Sequence, residues 1–97
     1  MQDPLGEVEI VWDPRKASIN LRKHKIAFEE AATIFQDPLM LTKPDPDHSF
    51  SERRFLTVGL SFQQRLLQVA HTEDPGEIHI ISARRTTAKE RYDYEND

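Results

Sequence analysis

Three strand-like runs stand nearly end to end in the second half of the chain: "RFLTVGLS" (54–61), "RLLQVAHT" (65–72) and "EIHIISAR" (77–84). Only residues 62–64 and 73–76 separate them, and the second link, "EDPG", carries the proline and glycine of a tight turn. Links this short join antiparallel neighbours, because a parallel pair needs a crossover of about a dozen residues. The run therefore predicts an antiparallel meander. Side chains alternate along a strand, so Leu56, Val58 and Leu60 share one face, and an apolar face needs a second layer to cover it.

Helices are expected on both sides of the meander. "EIVW" (9–12) reads as a short strand, and Asp13-Pro14 supplies a helix cap followed by proline at the first helical position. In the helix that follows, Ala17, Leu21 and His24 form a thin apolar stripe beside a polar stripe of Lys16, Asn20 and Lys23. "FEEAATIF" repeats the helical spacing through Phe28, Ala31 or Ala32, and Phe35, until Asp37-Pro38 stops it. A strand is expected at 39–42, then a loop over "KPDPDHSFSE". Thr87 and Glu90 have the spacing of a capping box, which predicts a last helix over "TAKERYDYE". The layout β-α-α-β-β-β-β-α is an α+β fold: an antiparallel sheet with two N-terminal helices on one face and a C-terminal helix.

A chain of 97 residues, 37% hydrophobic and 31% charged, has room for one domain with one modest core. Residues 1–97 are read as that domain, with 1–8 as a flexible end. Without cysteine the core must hold by packing alone, and no thiolate metal site is available. No secretory leader or membrane-length apolar run is apparent either, so a cytoplasmic protein is expected.

Net charge is −4, yet 12 of the 13 Lys and Arg fall in three windows, residues 15–25, 53–65 and 84–91, where Glu90 is the single acid. If the fold joins these windows, an acidic protein carries a basic face; if not, they are solvated patches on separate faces. The last strand runs straight into Arg84 and Arg85. Strict alternation puts His79, Ile81, Ala83 and Arg85 on one side, and Ile78, Ile80, Ser82 and Arg84 on the other. Both sides begin apolar, as an interior strand requires. Arginines at a rigid strand end suit phosphate recognition through the planar fork of the guanidinium, and they equally suit ion pairing with the surplus acids.

"WDPRKASINLRKHKIAFEEAATIFQDPL", "DPDHSFSERRFLTVGL", "RLLQVAHTE" and "IHIISARRTTAKERYDYE" together resemble the BrnT family, toxins of BrnT/BrnA type II toxin–antitoxin modules, over about residues 9–95. The pattern W-D-x-x-K-x-x-x-N-x-x-K-H is carried by Trp12, Asp13, Lys16, Asn20, Lys23 and His24, followed by the F-E-E-A, D-H-S and I-S-A-R motifs in the family's order. Two positions depart from it: Lys25 stands where glycine is usual, and Ala27 where a Ser or Thr cap is usual. The resemblance implies a RelE-like fold and a ribonuclease that blocks translation, with no cofactor. It also implies neutralisation by a BrnA-like ribbon-helix-helix antitoxin, operator DNA being bound only through the complex.

RNA is cut without metal when its own 2′-OH attacks the adjacent phosphate, which calls for a base, an acid and cations around the phosphorus. By analogy with RelE-like nucleases, which use an arginine late in the sheet, Arg84 and Arg85 are the expected cations. His71, two residues before Glu73, would stand beside them if the last two strands pair. His71, Glu73 and the loop residue His48 are thus the acid–base candidates, while His24 and His79 read as structural. RNA contacts are expected of Lys16, Lys23, Arg54, Lys89 and Tyr92, with Tyr94 and Phe62 as further stacking surfaces. A tyrosine packing the last helix onto the sheet is the plainer alternative. Two other readings stand beside the nuclease. A metal hydrolase would draw on Asp45, Asp47, His48, His71, Glu73 and His79, but no ligand spacing supports it. A non-catalytic module, binding a protein partner or acting as the antitoxin's co-repressor, would use the basic strand ends alone.

Overall fold

Asp13 opens the first helix as a cap, its carboxylate accepting from the Arg15 N–H at 2.8 Å, with Pro14 in the first helical position. The computed structural model describes residues 8–48 and 52–97; the flexible end expected at 1–8 and the Ser of the D-H-S motif lie largely outside them. Strand β1 (Glu9–Trp12) leads into α1 (Pro14–His24), then α2 (Phe28–Ala32), continued by a 3-10 turn (Thr33–Gln36). Next come β2 (Leu41–Pro44), β3 (Arg54–Leu60), β4 (Leu66–Asp74), β5 (Glu77–Arg85) and the terminal helix α3 (Ala88–Glu95). The second strand thus starts two residues later than its sequence pattern suggests. The three long strands fall where their alternation put them, to within a residue or two.

The strands form one sheet in the order β1-β5-β4-β3-β2. β2 to β5 pair antiparallel, but β1 runs parallel to β5, with Ile10 opposite Ile78 and Trp12 opposite Ile80. The sheet is therefore mixed, which corrects the wholly antiparallel expectation. No hairpin ties β1 to its neighbour, and the rest of the chain supplies the long crossover that a parallel pair needs. A second correction concerns the faces of β5. Ser82 pairs with Ala70 but Ile80 pairs with His71, so Ile81 is left over as a bulge. The extra residue flips the alternation, and Ile80 and Ala83 both enter the core.

That core joins Ile26, Phe28, Ala31 and Ile34, from α2 and its flanks, to Leu67, Val69, Ile80 and Ala83 of the sheet. Trp12 meets Phe28 edge to face, with centroids 6.0 Å apart. On α1, Ala17 packs against the core and Lys16 and Lys23 are exposed as the stripes predict, but Asn20 is buried and Leu21 stays half exposed, which exchanges these two positions. Lys25 ends α1 in the left-handed region at φ 62°, a conformation that glycine adopts more readily than lysine. Ala27 caps α2 without a side-chain bond.

Helix α3 starts with the expected capping box between Thr87 and Glu90. None of its residues is buried, so polar bonds rather than apolar packing hold it. Glu90 accepts from Gln68 Nε2 at 2.7 Å, and Tyr94 donates to Asp37 at 2.7 Å. Gln68 alternates with the core residues Leu67 and Val69, so Glu90 reaches the face away from α1 and α2. Among the described residues, no helix is long and apolar enough to cross a membrane.

Candidate functional site

The register of the sheet places Arg54 opposite Thr72, and Thr72 opposite His79. Paired residues point to the same face, so the arginine and the imidazole project from one side of the sheet with one strand between them. Their Cα atoms are about 10 Å apart at ~4.8 Å per strand, enough for a phosphate group to sit between the side chains. Trp12, Asp13 and Lys16 arrive where β1 turns into α1, and Glu52 arrives just ahead of β3. With Arg54, Thr72, Asp74, His79, Ile80 and Ile81 they line a cleft of about 350 Å³. Two of the basic windows, 15–25 and 53–65, therefore meet here. His79 is half exposed, its Nε2 lying 3.0 Å from Glu77 and 3.5 Å from Asp74. These two carboxylates fix the ring while leaving it open to the cleft.

Of the residues expected to be catalytic, His71, Glu73, Arg84 and Arg85 are not among those lining this cleft. His71 is wholly buried, its ring stacked near Phe55 and set edge-on to Phe35, with Nε2 bonded to Thr57 at 2.7 Å. Burial pushes its pKa down to about 4. It stands opposite Ile80, while Arg84 stands opposite Gln68, three residues or roughly 10 Å further along the strand. The expected partnership of His71 with the arginines does not form. Glu73 is exposed, with Oε2 3.4 Å from His71 Nδ1, an atom left without a hydrogen bond. His48 ends the short 3-10 turn Pro46–His48, and its side chain lies outside the described residues.

Arg84 is committed to Glu90. Nη1 and Nη2 each donate to the carboxylate at 2.9 Å, Nη1 also bonds the Arg85 carbonyl, and the Thr87 N–H adds a 2.8 Å bond to Glu90. The pair holds Glu90 below the usual carboxylate range against the opposing effect of its burial, and it raises Arg84. Ion pairing, the structural alternative for a basic strand end, thus accounts for Arg84. Arg85 is exposed and points to the other side of the strand, beside Leu67. Lys23 is exposed on α1, Lys89 pairs with Asp93 at 3.3 Å, and Tyr92 is exposed on α3. Tyr94 has its pKa raised to about 12, first by burial and then by its bond to Asp37, and it pins the last helix.

Of the metal ligands weighed from sequence, the structure brings only His79 into a group. Among the described residues, Asp74, Glu77 and His79 offer ligand atoms within 4.8 Å of one another. Glu52 was not singled out from the sequence, and His79, weighed there only as a possible metal ligand, otherwise read as structural. Glu52 sits inside the "DPDHSFSERRFLTVGL" segment, and His79 is a histidine near the start of its strand, so a signal was present in both cases.

No curated protein matches the chain. Its residues 12–90 match the family described as "Ribonuclease toxin, BrnT, of type II toxin-antitoxin system". Its fold is similar to the crystal structure of the Brucella abortus ribonuclease toxin BrnT, with a TM-score of 0.60 and 19% identity, over 82% of this chain and 97% of that one. The family match begins at Trp12 and ends at Glu90, so it spans every residue lining the cleft. The chain belongs to the BrnT family of ribonuclease toxins from type II toxin–antitoxin systems.

Proposed function

We propose that the protein is a metal-independent endoribonuclease acting in the cytoplasm, and that it cuts RNA in the cleft between α1 and the start of β3 rather than at the Arg84–Arg85 strand end. The observation that carries this reading is the row Arg54, Thr72, His79 across three strands, with Lys16 and Glu52 lining the same cleft. Lys16 and Arg54 supply positive charge where a pentavalent phosphate would gather negative charge. His79 and Glu52 are the acid–base pair: one removes the proton of the 2′-OH as that oxygen bonds to phosphorus, and the other protonates the departing 5′-oxygen. The products are a 2′,3′-cyclic phosphate and a free 5′-hydroxyl. Trp12 offers a flat surface at the cleft against which a base can stack. The mixed sheet with its helices supports the RelE-like reading of the fold.

A type II family implies a protein antitoxin, and a BrnA-like ribbon-helix-helix partner fits this chain. The chain is acidic overall, and its sequence carries neither a helix-turn-helix signal nor a long basic helix, so operator binding belongs to the partner. Incubation of purified, antitoxin-free protein with single-stranded RNA, with and without EDTA, tests the assignment. Cutting that EDTA leaves unchanged and that Lys16→Ala or His79→Gln removes supports it. EDTA-sensitive cutting would instead make Asp74, Glu77 and His79 metal ligands, and a wild-type protein that never cuts RNA would be a binding module.

A further inference from the structure

A second basic cleft, of about 360 Å³, lies at the opposite end of the sheet, lined among others by Leu60, Arg65, Leu66, Arg85, Arg91 and Tyr94. Its wall is built around Glu30, a carboxylate 2% exposed. Glu30 accepts from Ser61 Oγ at 2.6 Å, from Arg65 Nε at 2.9 Å and from Arg65 Nη2, and this pairing with Arg65 holds its carboxyl below the usual range despite burial. The Nε–Nη2 edge of Arg65 is thereby fixed, which leaves Nη1 free of the fork and the guanidinium oriented in advance. Arg91 faces only Glu95, at 3.7 Å and with both side chains more than half exposed, a geometry worth little in water. The Arg85 side chain carries no hydrogen bond or ion pair among the described residues, although its charge is felt by Glu30. Three guanidiniums thus converge with one of them uncommitted, and the apolar lining is limited to Leu60, Leu66 and the Tyr94 ring.

We infer that this cleft is a distal subsite for the phosphodiester backbone of single-stranded RNA, with Arg85 as the phosphate ligand and Arg65 and Arg91 as flanking charges. The inference rests on the reading of RNA as substrate of the first cleft. Leu66 lines this cleft and Thr72 lines the other, and the six residue steps from one to the other along β4 span roughly 20 Å. RNA of several nucleotides covers that distance while a very short one cannot, so the second cleft sets a length preference. Phe62, on the same turn as Gln64 and Arg65, is 66% exposed and offers a stacking surface next to the charges. A protein segment held by a few carboxylates would need an apolar anchor pocket, which this lining lacks.

Binding separates the subsite from the chemistry if the RNA has no attackable hydroxyl. Fluorescence anisotropy with fully 2′-O-methylated oligonucleotides of four and twelve residues, on wild type, Arg85→Ala and Lys16→Ala, is the measurement. Wild type should bind the longer oligonucleotide more tightly. Arg85→Ala should lose on the order of tenfold on it alone, and the slope of log affinity against log salt should fall by about one. Lys16→Ala should weaken both lengths. Arg85 is exposed, so an unchanged thermal midpoint in Arg85→Ala is the folding control. An Arg85→Ala protein that keeps the full length gain, or that weakens both lengths equally, overturns the subsite while leaving the first cleft standing. A variant that binds RNA normally but loses affinity for the antitoxin gives the cleft to the protein partner and also overturns it. If wild type binds neither oligonucleotide, the RNA reading of the first cleft fails and the subsite fails with it.

Discussion

Asn20 and Ala83 are bonded to each other twice: the Ala83 N–H donates to Asn20 Oδ1 at 3.0 Å, and Asn20 Nδ2 donates to the Ala83 carbonyl at 2.9 Å. Strand β1 ends opposite Ile80, so beyond that point this edge of β5 has no strand beside it. The side-chain amide stands in for the missing peptide, and its second N–H also ties down the Ile26 carbonyl at 3.0 Å. One buried residue of α1 therefore fixes the helix on the sheet and closes the ladder in the core.

Asn20→Leu leaves the N–H and C=O of Ala83 buried without partners. Each orphaned group costs about 1–3 kcal/mol, so a loss of roughly 2–4 kcal/mol is expected in urea unfolding. A change below about 1 kcal/mol would mean that water or a shift of the backbone repairs the edge.

Lys16→Ala and His79→Gln should each lower RNA cleavage on the order of a hundredfold without moving the unfolding midpoint, since removing one donor from a charged transition state has that scale. Arg84→Ala should behave in the opposite way. It releases Glu90 and loosens α3 at a cost of about 1 kcal/mol, discounted because the arginine is partly exposed, while cleavage by the folded fraction persists. Parallel melting curves and cleavage rates separate the two patterns. Activity lost in a fully folded Arg84→Ala protein would return the chemistry to the strand end.

Stability should fall as the solution is acidified from about pH 6.5 towards 4. His71 has a folded pKa of about 4 against an ordinary 6.5, so within that window the unfolded chain binds a proton that the native protein refuses. The full difference is worth roughly 3 kcal/mol, present above pH 6.5 and gone below 4. Below about 4.5, Glu30, Asp37 and Glu90, whose folded values are lowered, lose their own contributions as they protonate. His71→Gln should flatten the curve between 4 and 6.5; denaturant titrations across that range would show it, and an unchanged slope would locate the acid sensitivity elsewhere.

Two local departures from the family pattern should be correctable. Lys25 pays a steric penalty in its left-handed conformation, and Lys25→Gly is expected to raise stability by about 0.5–1 kcal/mol. Ala27→Ser supplies the cap that α2 lacks and should add about 1 kcal/mol. Thermal midpoints of the single variants and the pair check both, and the pair measures how far two changes only two residues apart couple.

Much of this protein was legible from its sequence because local chemistry decided it. Asp13-Pro14 and Thr87-x-x-Glu90 start helices whatever the rest of the chain does, and "EDPG" allows little but a hairpin. What tertiary structure alone decided depends on neighbours that a linear reading does not contain. The direction of β1 was open because no tight turn constrains it. A single extra residue, Ile81, reversed the faces of β5 and carried Ile80 and Ala83 together into the core. His71 looked like a titrating group near neutrality until burial between aromatic rings removed its access to water. Arg84 looked like a free cation until Glu90, six residues on, turned back and took its fork. The row of Arg54, Thr72 and His79 exists only through strand register, where residues far apart in sequence become neighbours at about 5 Å.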